Sequence, residues 1–357
     1  MKREYAIIGG GPAGAAAAYT LARMGYNVVV YEANSRLAVK PCGYGIPSTS
    51  DIPFEIPKSS IAVRVKSVML YVDGIPAVEI RDGIEGYIVD KREMLESLII
   101  ESGAELEFRS RFNPLQAIVK SGGRIVDVRG GLLAGGVAFY PGETINAMET
   151  TLHNHKRQNN DALEIYFDTS ILGYYWIFPS PDDGIQVGVG GYASPIELRE
   201  RLEKFLSRNK MLPETANPRF RGAPIAVGGL VLRRLNGNIV AVGEASGFVL
   251  PLTGEGIRPS MLSGYYAAKA IAEGRDPLQM LEKISIARAV RVQRRILERV
   301  KRMEPSRRKE FLISIPKEVH IEVSLGTLRI TRIIKALAGK PILASKLVRM
   351  IIGGEQD

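Results

Sequence analysis

The chain has little of the chemistry that would mark a secreted, membrane-spanning or metal-binding protein. Its 357 residues include a single cysteine, Cys42, so no disulfide can form within it, as is typical of a reducing, intracellular compartment. No apolar run approaches the roughly 18 residues that cross a bilayer, and the glycine-rich segment beginning at residue 9 leaves no room for a signal peptide. The three histidines have no partners at metal-ligand spacing. We expect a cytoplasmic protein without a metal, either soluble or peripheral at the inner face of the membrane.

Acidic residues are scarce in one region, the C-terminal end. Residues 1–277 contain 30 basic and 30 acidic side chains, whereas residues 278–357 contain 18 and 8, so the whole net charge of +10 lies there. Ile286, Val290 and Leu297 recur at helical spacing among the arginines. Such a helix can dock on the core or lie on anionic lipid, and its basic face is either simply solvated or attracted to phosphates. No groove-reading motif accompanies it, so we expect no nucleic-acid partner.

The first 32 residues contain the strongest motif. Tyr5–Ile8 and Val28–Tyr31 are predicted as short buried strands, and Ala15–Met24 as a helix of strong helix formers. Between the first strand and the helix lies Gly-Gly-Gly-Pro-Ala-Gly, residues 9–14, which has the pattern G-x-G-x-x-G. Strand, glycine turn, helix and strand in this order predict a βαβ dinucleotide-binding unit.

The residues of this motif have separate physical tasks. Gly9 permits a tight turn, Gly11 lets the backbone approach a pyrophosphate, and Gly14 allows the helix to pack closely on the strand. The helix N-terminus offers free N–H groups and the positive end of the helix dipole. Glu32, 18 residues after Gly14, can accept hydrogen bonds from a ribose diol. An acid there favours FAD or NAD over NADP, whose extra phosphate would meet a like charge.

A cysteine loop, Lys40-Pro-Cys-Gly-Tyr-Gly45, follows this unit. Glycines on both sides of a cysteine indicate that the backbone passes close to something flat or bulky. An unpaired cysteine is commonly a small buried hydrophobe, but the position of Cys42 favours a cofactor-facing role. Further on, Asp90–Ser102 is predicted as a helix, and Arg92 in its first turn can reach a phosphate or be an ordinary exposed arginine.

An aromatic hairpin is predicted near the middle of the chain. Asp-Asp-Gly at residues 182–184 is a turn that pairs a strand over Tyr174–Phe178 with one over Ile185–Val189. Tyr174, Trp176 and Phe178 share one face because side chains alternate along a strand. Such a stripe is commonly core, but the glycines opposite it, Gly188 and Gly190, remove side chains and leave room for a flat apolar ligand. We therefore predict a substrate wall.

A second acid-and-helix element lies at residues 243–257. A buried strand enters Gly-Glu-Ala-Ser-Gly, and after a glycine loop a long helix begins near Ile257. Glu244 can bind a polyol, and a helix N-terminus aimed at a reduced flavin would stabilise its negative charge. An NAD site has no use for this second element, so the pair of motifs favours FAD.

Four motifs stand in a characteristic order: the glycine turn, the Cys42 loop, the pattern Y-x-W-x-F-P-x8-G-x-G from Tyr174, and the segment Gly243–Ile257. In this order they resemble the geranylgeranyl reductase family, which are FAD-dependent enzymes of the p-hydroxybenzoate hydroxylase-like superfamily. The resemblance runs from residue 4 to about residue 275. It implies saturation of isoprenoid double bonds in geranylgeranyl diphosphate, chlorophyll precursors or archaeal digeranylgeranyl glycerophospholipids, by hydride from N5 of reduced flavin.

The resemblance also implies residue roles. Tyr174 and Trp176 match residues that line the isoprenoid tunnel beside the flavin, and Cys42 becomes a candidate for the proton path or for shaping the flavin face. With Gly9, Gly11 and Gly14 of the glycine turn, the residues that match FAD contacts are Ala13, Glu32, Cys42, Gly43, Gly45, Arg92, Glu244, Gly256 and Ile257. Two positions depart from the family: Glu244 replaces an aspartate, and Val126–Gly130 stands where the family has Ala-Asp-Gly-x-x-Ser.

We therefore predict an α/β protein in which a Rossmann-like FAD-binding domain carries an inserted antiparallel-sheet substrate lobe and a helical C-terminal region. The predicted boundaries are 1–60, 85–150 and 236–275 for the FAD-binding domain, 61–84 and 151–235 for the lobe, and 276–357 for the basic helical region.

The electron donor is open between NADPH and reduced ferredoxin, since no second complete glycine fingerprint follows a strand. The basic region would hold a diphosphate or phospholipid headgroup, or contact the membrane. Two other functions suit the motifs: an FAD-dependent monooxygenase or halogenase of the same fold, and a catalytically reduced flavoprotein that binds polyprenyl lipid.

Overall fold

A computed structural model describes residues 4–49, 51–153, 155, 160–211 and 218–339, together with residues 341, 344, 345 and 348. In this part of the chain the strands are β1 (Glu4–Ile8), β2 (Asn27–Tyr31), β3 (Gly45–Pro47), β4 (Ile61–Val65), β5 (Ser67–Val72), β6 (Ile75–Ile80), β7 (Gly86–Val89), β8 (Glu105–Glu107), β9 (Arg111–Asn113), β10 (Ile118–Ser121), β11 (Arg124–Asp127), β12 (Leu132–Leu133), β13 (Thr144–Leu152), β14 (Ala162–Asp168), β15 (Gly173–Pro179), β16 (Ile185–Gly191), β17 (Arg221–Ala226), β18 (Arg234–Leu235) and β19 (Ile239–Ala241). The helices of the same residues are α1 (Pro12–Arg23), α2 (Lys91–Ser102), α3 (Pro195–Arg208), α4 (Ile257–Ala272), α5 (Pro277–Lys283), α6 (Ser285–Lys301), α7 (Pro305–Ser314), α8 (Lys317–Leu325) and α9 (Ile330–Ala336).

The first large sheet contains the predicted βαβ unit. Its strands run in the order β18-β19-β12-β1-β2-β8, and every pair is parallel except β18–β19. Helix α1 joins β1 to β2, and its alanines at positions 15–18 are fully buried against the sheet and α4. The expected Rossmann-like unit is confirmed.

Glycine lets the two helices beside this sheet approach closely. A Cβ atom on Gly264 of α4 would lie 2.0 Å from the carbonyl oxygen of Ala13, in the first turn of α1. The contact is therefore between backbones. It fixes α1 and α4, whose N-termini both face the cavity described below.

The second large sheet contains the predicted aromatic hairpin. Its order is β17-β13-β16-β15-β14-β5-β6, with β15 and β16 antiparallel as expected. In the turn between them, Asp183 and Gly184 both have positive φ angles, of 84° and 86°, and the Ser180 N–H donates to the Gly184 carbonyl at 3.1 Å. One face of the sheet packs on α3 through Leu198 and Leu202, and the other faces the cavity.

Two details of the second sheet differ from the prediction. The sheet is not wholly antiparallel, because β14 pairs with β5 in parallel, and this pairing joins residues 61–84 to the later strands. Strand β13 also belongs to this sheet, although residues up to 150 were assigned to the FAD-binding domain. We propose that the boundary lies before Thr144; the other predicted boundaries stay predictions.

The basic C-terminal region is helical where it is described. The apolar face of α6 docks on the core, since Ile286, Val290, Ile296 and Leu297 are all buried. Of the two placements expected for this face, docking is therefore the one observed. No helix among the described residues combines the length and apolarity needed to cross a membrane. The predicted basic helical region extends to residue 357, and most of its residues beyond 339 lie outside the described part of the chain.

The contact between α1 and α4 gives a stability prediction. At an open helical site, replacing glycine by alanine stabilises a protein by about 1 kcal/mol. At Gly264 the new methyl group would meet the Ala13 carbonyl, so we expect Gly264→Ala to lower the free energy of unfolding by about 1–3 kcal/mol. Urea unfolding measures this, with Lys269→Ala on the outer side of α4 as control. A gain in stability for Gly264→Ala would contradict the contact.

Candidate functional site

A continuous cavity of ≈ 1200 Å³ is lined by residues of both large sheets. It brings together residues that are far apart in the sequence, from the glycine turn of β1–α1 to the aromatic hairpin. The predicted site residues that line it are Gly9, Gly11, Ala13, Glu32, Cys42, Gly43, Gly45, Tyr174, Trp176, Phe178, Glu244, Gly256 and Ile257.

The glycine turn leaves an open face toward this cavity. Gly9 has a φ of 99°, and a Cβ atom on Gly14 would lie 1.9 Å from the Gly9 carbonyl oxygen, so both positions require glycine. Gly14 thus packs helix against strand without lining the cavity, as its predicted task implies. A Cβ atom on Gly11 would meet no heavy atom within 4 Å. Helix α1 begins there without a side-chain cap, and its first N–H groups are available to an anion.

Glu32 closes the end of β2 beside the turn. Its Oε2 accepts the N–H of Gly10 at 2.9 Å, and its Oε1 accepts the N–H and the Nδ2 of Asn34 at 2.9 and 2.7 Å. These bonds hold the carboxylate in place at the cavity wall. The predicted ribose contact needs that fixed position and stays a prediction.

An ion pair that the sequence did not predict stands at the second acid. The Nζ of Lys40, in the cysteine loop, donates to both carboxylate oxygens of Glu244 at 2.7 Å. Lys91 of α2 in turn donates to the Lys40 carbonyl at 2.8 Å. The pair ties the cysteine loop to the segment that precedes α4. A lysine two residues before the cysteine was the available signal, but nothing local indicated its partner 204 residues away.

Arg92 is the predicted site residue that the structure places elsewhere. Its side chain is exposed and does not line the cavity. Asp90 caps α2 by accepting the N–H groups of Arg92 and Glu93. With the helix starting here, its first residue, Lys91, points inward instead of Arg92. Lys91 is buried and lines the cavity.

The start of α4 is fixed by a buried arginine. Arg258 is 1% exposed and makes a bidentate pair with Glu255 at 3.0 Å, a pair with Asp51 at 2.8 Å and a bond to the Leu325 carbonyl at 3.0 Å. The network joins a loop after the cysteine segment, the start of α4 and the end of α8. Glu255 lines the cavity, so this network forms part of its wall.

The aromatic stripe lies on the cavity face of the second sheet, with one correction. The space left at Gly188 is filled by the indole of Trp176, whose Cζ2 lies 2.1 Å from where a Cβ atom would stand. That glycine therefore makes room for the tryptophan rather than for a ligand. Tyr174 donates its hydroxyl to the Thr253 carbonyl, and burial raises its pKa to about 12.

The cysteine loop lies against these rings. A Cβ atom on Gly43 would be 3.1 Å from the Phe178 ring and 3.9 Å from the Trp176 Nε1. The Sγ of Cys42 accepts the Tyr44 N–H at 3.4 Å, and the Cys42 N–H is donated to Oε1 of Glu149 at 3.3 Å. Cys42 therefore lines the cavity, and its backbone N–H contacts a carboxyl group that the sequence did not single out; its expected cofactor-facing role stays a prediction.

Glu149, on β13, is the main residue that sequence reasoning missed. It lines the cavity with its side chain only 3% exposed, and it pairs with Arg221 of β17 at 3.2 Å. Burial raises the pKa of Glu149 to about 7, against the opposing charges of Arg221 and Lys91. A carboxyl that changes its charge near neutral pH inside a cavity suits proton transfer. The signal available was an acid inside a predominantly uncharged segment, Thr144–Leu152.

One row of cross-strand neighbours crosses the whole second sheet. It runs from charged residues, through the tryptophan, to aliphatic ones. In order, the row is Arg221, Glu149, Gly188, Trp176, Ile165, Leu70 and Val78. The cavity face is thus polar at the β17–β13 edge and apolar at the β5–β6 edge.

The residues present fit a flavin dinucleotide. The open face at Gly11 and the uncapped α1 suit a pyrophosphate, and the cavity continues from there to the aromatic face. The Nε1 of Trp176 is buried without a hydrogen-bond partner in the described structure, so the site offers a polar group to a bound molecule.

The chain is similar in sequence to known proteins. A family model described as NAD(P)-binding Rossmann-like domain matches residues 7–40. The digeranylgeranylglycerophospholipid reductase of Methanococcus vannielii is 26% identical over 300 residues, covering 76% of this chain and 77% of that protein. The geranylgeranyl diphosphate reductase of Rhodobacter capsulatus is 27% identical over 305 residues, covering 76% of this chain and 75% of that protein.

Solved structures share the fold. A geranylgeranyl bacteriochlorophyll reductase-like protein from Thermoplasma acidophilum has a TM-score of 0.79 and 20% identity, covering 98% of this chain and all (100%) of that one. A flavin-dependent brominase has a TM-score of 0.61 and 14% identity, covering 98% of this chain and 93% of that one. The predicted fold class and the resemblance to geranylgeranyl reductases are confirmed.

The buried carboxyl of Glu149 gives a prediction on stability against pH. Because the pKa of Glu149 is raised from 4.5 to about 7, the protonated carboxyl is favoured in the folded state. The free energy of unfolding that this adds at low pH is lost as pH rises through about 7. The loss amounts to about 3 kcal/mol. Between about pH 5 and about pH 8, we expect Glu149→Gln to lose correspondingly less stability than the wild type in urea unfolding.

Glu164→Gln is the matched control, since it makes the same substitution on the opposite face of the same sheet. If the free energy of unfolding depended on pH equally in Glu149→Gln and the wild type, this would contradict the raised pKa of Glu149.

Proposed function

We propose that this chain is an FAD-dependent reductase acting on CH–CH bonds, which saturates isoprenoid C=C bonds of geranylgeranyl diphosphate or digeranylgeranyl glycerophospholipids in membrane-lipid synthesis. The observation that carries the proposal is a continuous cavity, which runs from the glycine turn at Gly9 and Gly11 to the apolar edge of the second sheet. The relatives named as reductases of geranylgeranyl compounds, which match about three quarters of the chain, support it.

FAD is the cofactor we propose for the dinucleotide half of the cavity. The turn and the N-terminus of α1 would hold its pyrophosphate, Glu32 its adenosine ribose, and Glu244 its ribityl chain. The Cys42 loop and the start of α4 at Gly256 and Ile257 would flank the ring system. When bound and reduced, FAD supplies the hydride equivalent.

The apolar edge of the cavity suits a polyprenyl chain. Val68, Leu70, Ile80, Leu163 and Ile165 line it and expose only hydrocarbon. An isolated alkene has no carbonyl to polarise, so catalysis depends on positioning and on stabilising positive charge as it develops on carbon.

Tyr174 and Trp176 would supply that charge stabilisation. Each ring face that approaches a developing cation contributes about 0.5–2 kcal/mol. The bond from Tyr174 to Thr253 holds its ring in one orientation, and the packing of Trp176 over Gly188 does the same for the indole. We propose Phe178 as a further wall of the substrate site and Cys42 as the residue that shapes the flavin face.

Electrons would come from NADPH or reduced ferredoxin. We also propose a peripheral contact with the inner face of the membrane, through arginines of the C-terminal region such as Arg288, Arg302 and Arg307, which are exposed. Because the apolar face of α6 is buried in the core, such contact would depend on charge and would weaken with salt.

Anaerobic incubation of the reduced, FAD-loaded protein with geranylgeranyl diphosphate, and separately with a digeranylgeranyl phospholipid, tests the function. We expect mass gains in steps of two hydrogens in at least one substrate. Binding without saturation would favour a polyprenyl-lipid-binding flavoprotein. A long-lived oxygen adduct of the reduced flavin on exposure to oxygen would favour a monooxygenase. Either result would contradict the proposal.

Trp176→Leu tests the aromatic wall while keeping an apolar side chain. Loss of one ring face should lower the saturation rate about 2- to 30-fold, the equivalent of 0.5–2 kcal/mol. Single-turnover oxidation of the reduced flavin by the substrate measures this rate. Tyr175→Leu is the matched control, because Tyr175 is the preceding residue of the same strand and packs on Phe205 on the other face. An unchanged rate in Trp176→Leu would remove the ring from the mechanism.

A further inference from the structure

We propose that Glu149 is the proton source of the saturation reaction, at the polar end of the cross-strand row that crosses the cavity. The inference rests on the proposed function and assigns a second reactant to it, since hydride addition to an alkene also requires a proton at the other carbon. The residue is identified by its place in the sheet.

The sheet register places this acid beside the reaction region. Glu149 and Trp176 are both cross-strand partners of Gly188, on either side of it and on the same face. The indole leans over Gly188 and fills the gap between them. With neighbouring strands about 4.8 Å apart, the carboxyl lies two strands from the aromatic wall and four strands from Leu70, at the apolar edge.

The hydrogen bonds of Glu149 suit a group that gives up and regains a proton. The N–H of Cys42 at 3.3 Å and the Nη2 of Arg221 at 3.2 Å both donate to Oε1, which leaves Oε2 to carry the proton. Arg221 is on the edge strand β17 with its side chain 44% exposed. Its charge stabilises the carboxylate after the proton has left, and water at this edge can replace the proton.

Several other ionisable groups that line the cavity have partners of their own. Lys40 is paired with Glu244, and Lys91 donates to a backbone carbonyl and lies over the Tyr44 ring. The hydroxyl of Tyr174 is bonded to Thr253, and its pKa of about 12 makes it a weak acid.

Two further groups differ from Glu149, one in its partner and the other in its pKa. The Nε and Nη2 of Arg258 donate to the two carboxylate oxygens of Glu255. Tyr44 faces Glu149 and Arg221 directly, and burial raises the pKa of its hydroxyl above the ordinary value. The groups that face Glu149 are therefore the cations Arg221 and Lys91, the Tyr44 hydroxyl and the Cys42 loop.

The step balances in atoms and electrons. The π bond of the alkene breaks, and two C–H bonds form. Bound, reduced FAD would supply one hydrogen as hydride together with its electron pair, and it would be oxidised in doing so. The other arrives as the proton of the Glu149 carboxyl, whose O–H bond breaks to leave the carboxylate. One proton from the solvent, entering at the half-exposed Arg221 edge, then restores the acid, so that the net uptake is one hydride and one proton.

The test compares Glu149→Gln, Glu149→Asp and the wild type, all loaded with FAD, in single-turnover reaction with geranylgeranyl diphosphate from about pH 5 to about pH 9. We expect the wild-type rate to fall as pH rises through about 7. In Glu149→Gln the rate should drop about 100-fold or more and lose this pH dependence. In Glu149→Asp the reaction should persist, with its pH midpoint moved down. Glu164→Gln is the control.

A second readout needs no turnover. The infrared band of a protonated carboxyl should titrate near pH 7 in the wild type and be absent in Glu149→Gln. If Glu149→Gln does not fold, the Glu149→Asp midpoint decides, and an unmoved midpoint overturns the inference. A Glu149→Gln variant that keeps the wild-type rate and pH profile also overturns the inference. A wild-type protein that saturates no substrate contradicts the proposed function itself, which is a distinct result.

Discussion

The close approach of backbones around the first turn of α1 is the constraint on which the rest of the site depends. Gly14 lies against Gly9 of the strand turn, and both Gly243 and Gly264 lie against Ala13, where Cβ atoms would come within 1.9–2.6 Å of existing atoms. Side chains at these positions would push α1 away from the sheet and from α4. Their absence fixes two helix N-termini at one cavity, so that their free N–H groups and positive dipole ends are oriented before any ligand arrives.

Arg258 extends this arrangement to the C-terminal helices. Its guanidinium bonds a loop residue, Asp51, the cavity residue Glu255 and the last carbonyl of α8 at Leu325. A charge this deeply buried is tolerated only while its partners are in place, because removing one leaves the others desolvated and unpaired. The network therefore makes the wall of the cavity dependent on the packing of the C-terminal region, although that region contributes few residues to the wall.

The second sheet supplies two environments from one surface. Its cavity face changes from the ion pair of Glu149 and Arg221 at one edge to aliphatic side chains at the other, with Trp176 between them. A polyprenyl chain and an acid have opposite solvation needs, and a single sheet satisfies both because neighbouring strands contribute different side chains to one row. The same low polarity that accommodates hydrocarbon also desolvates Glu149, which is why its pKa rises toward neutrality.

The sequence by itself determined the elements whose signals are local: the βαβ unit with its glycine turn, and the aromatic hairpin. Spacing within a few residues decides turns, caps and strand periodicity, and these predictions were confirmed by the fold. Only the tertiary structure decided which residues from distant strands share a row and which charges pair. The pair of Lys40 with Glu244, the inward turn of Lys91 in place of Arg92, and the carboxyl of Glu149 all depend on contacts between distant segments. Register and burial across a sheet are set by the packing of the whole chain, so no local pattern contains them.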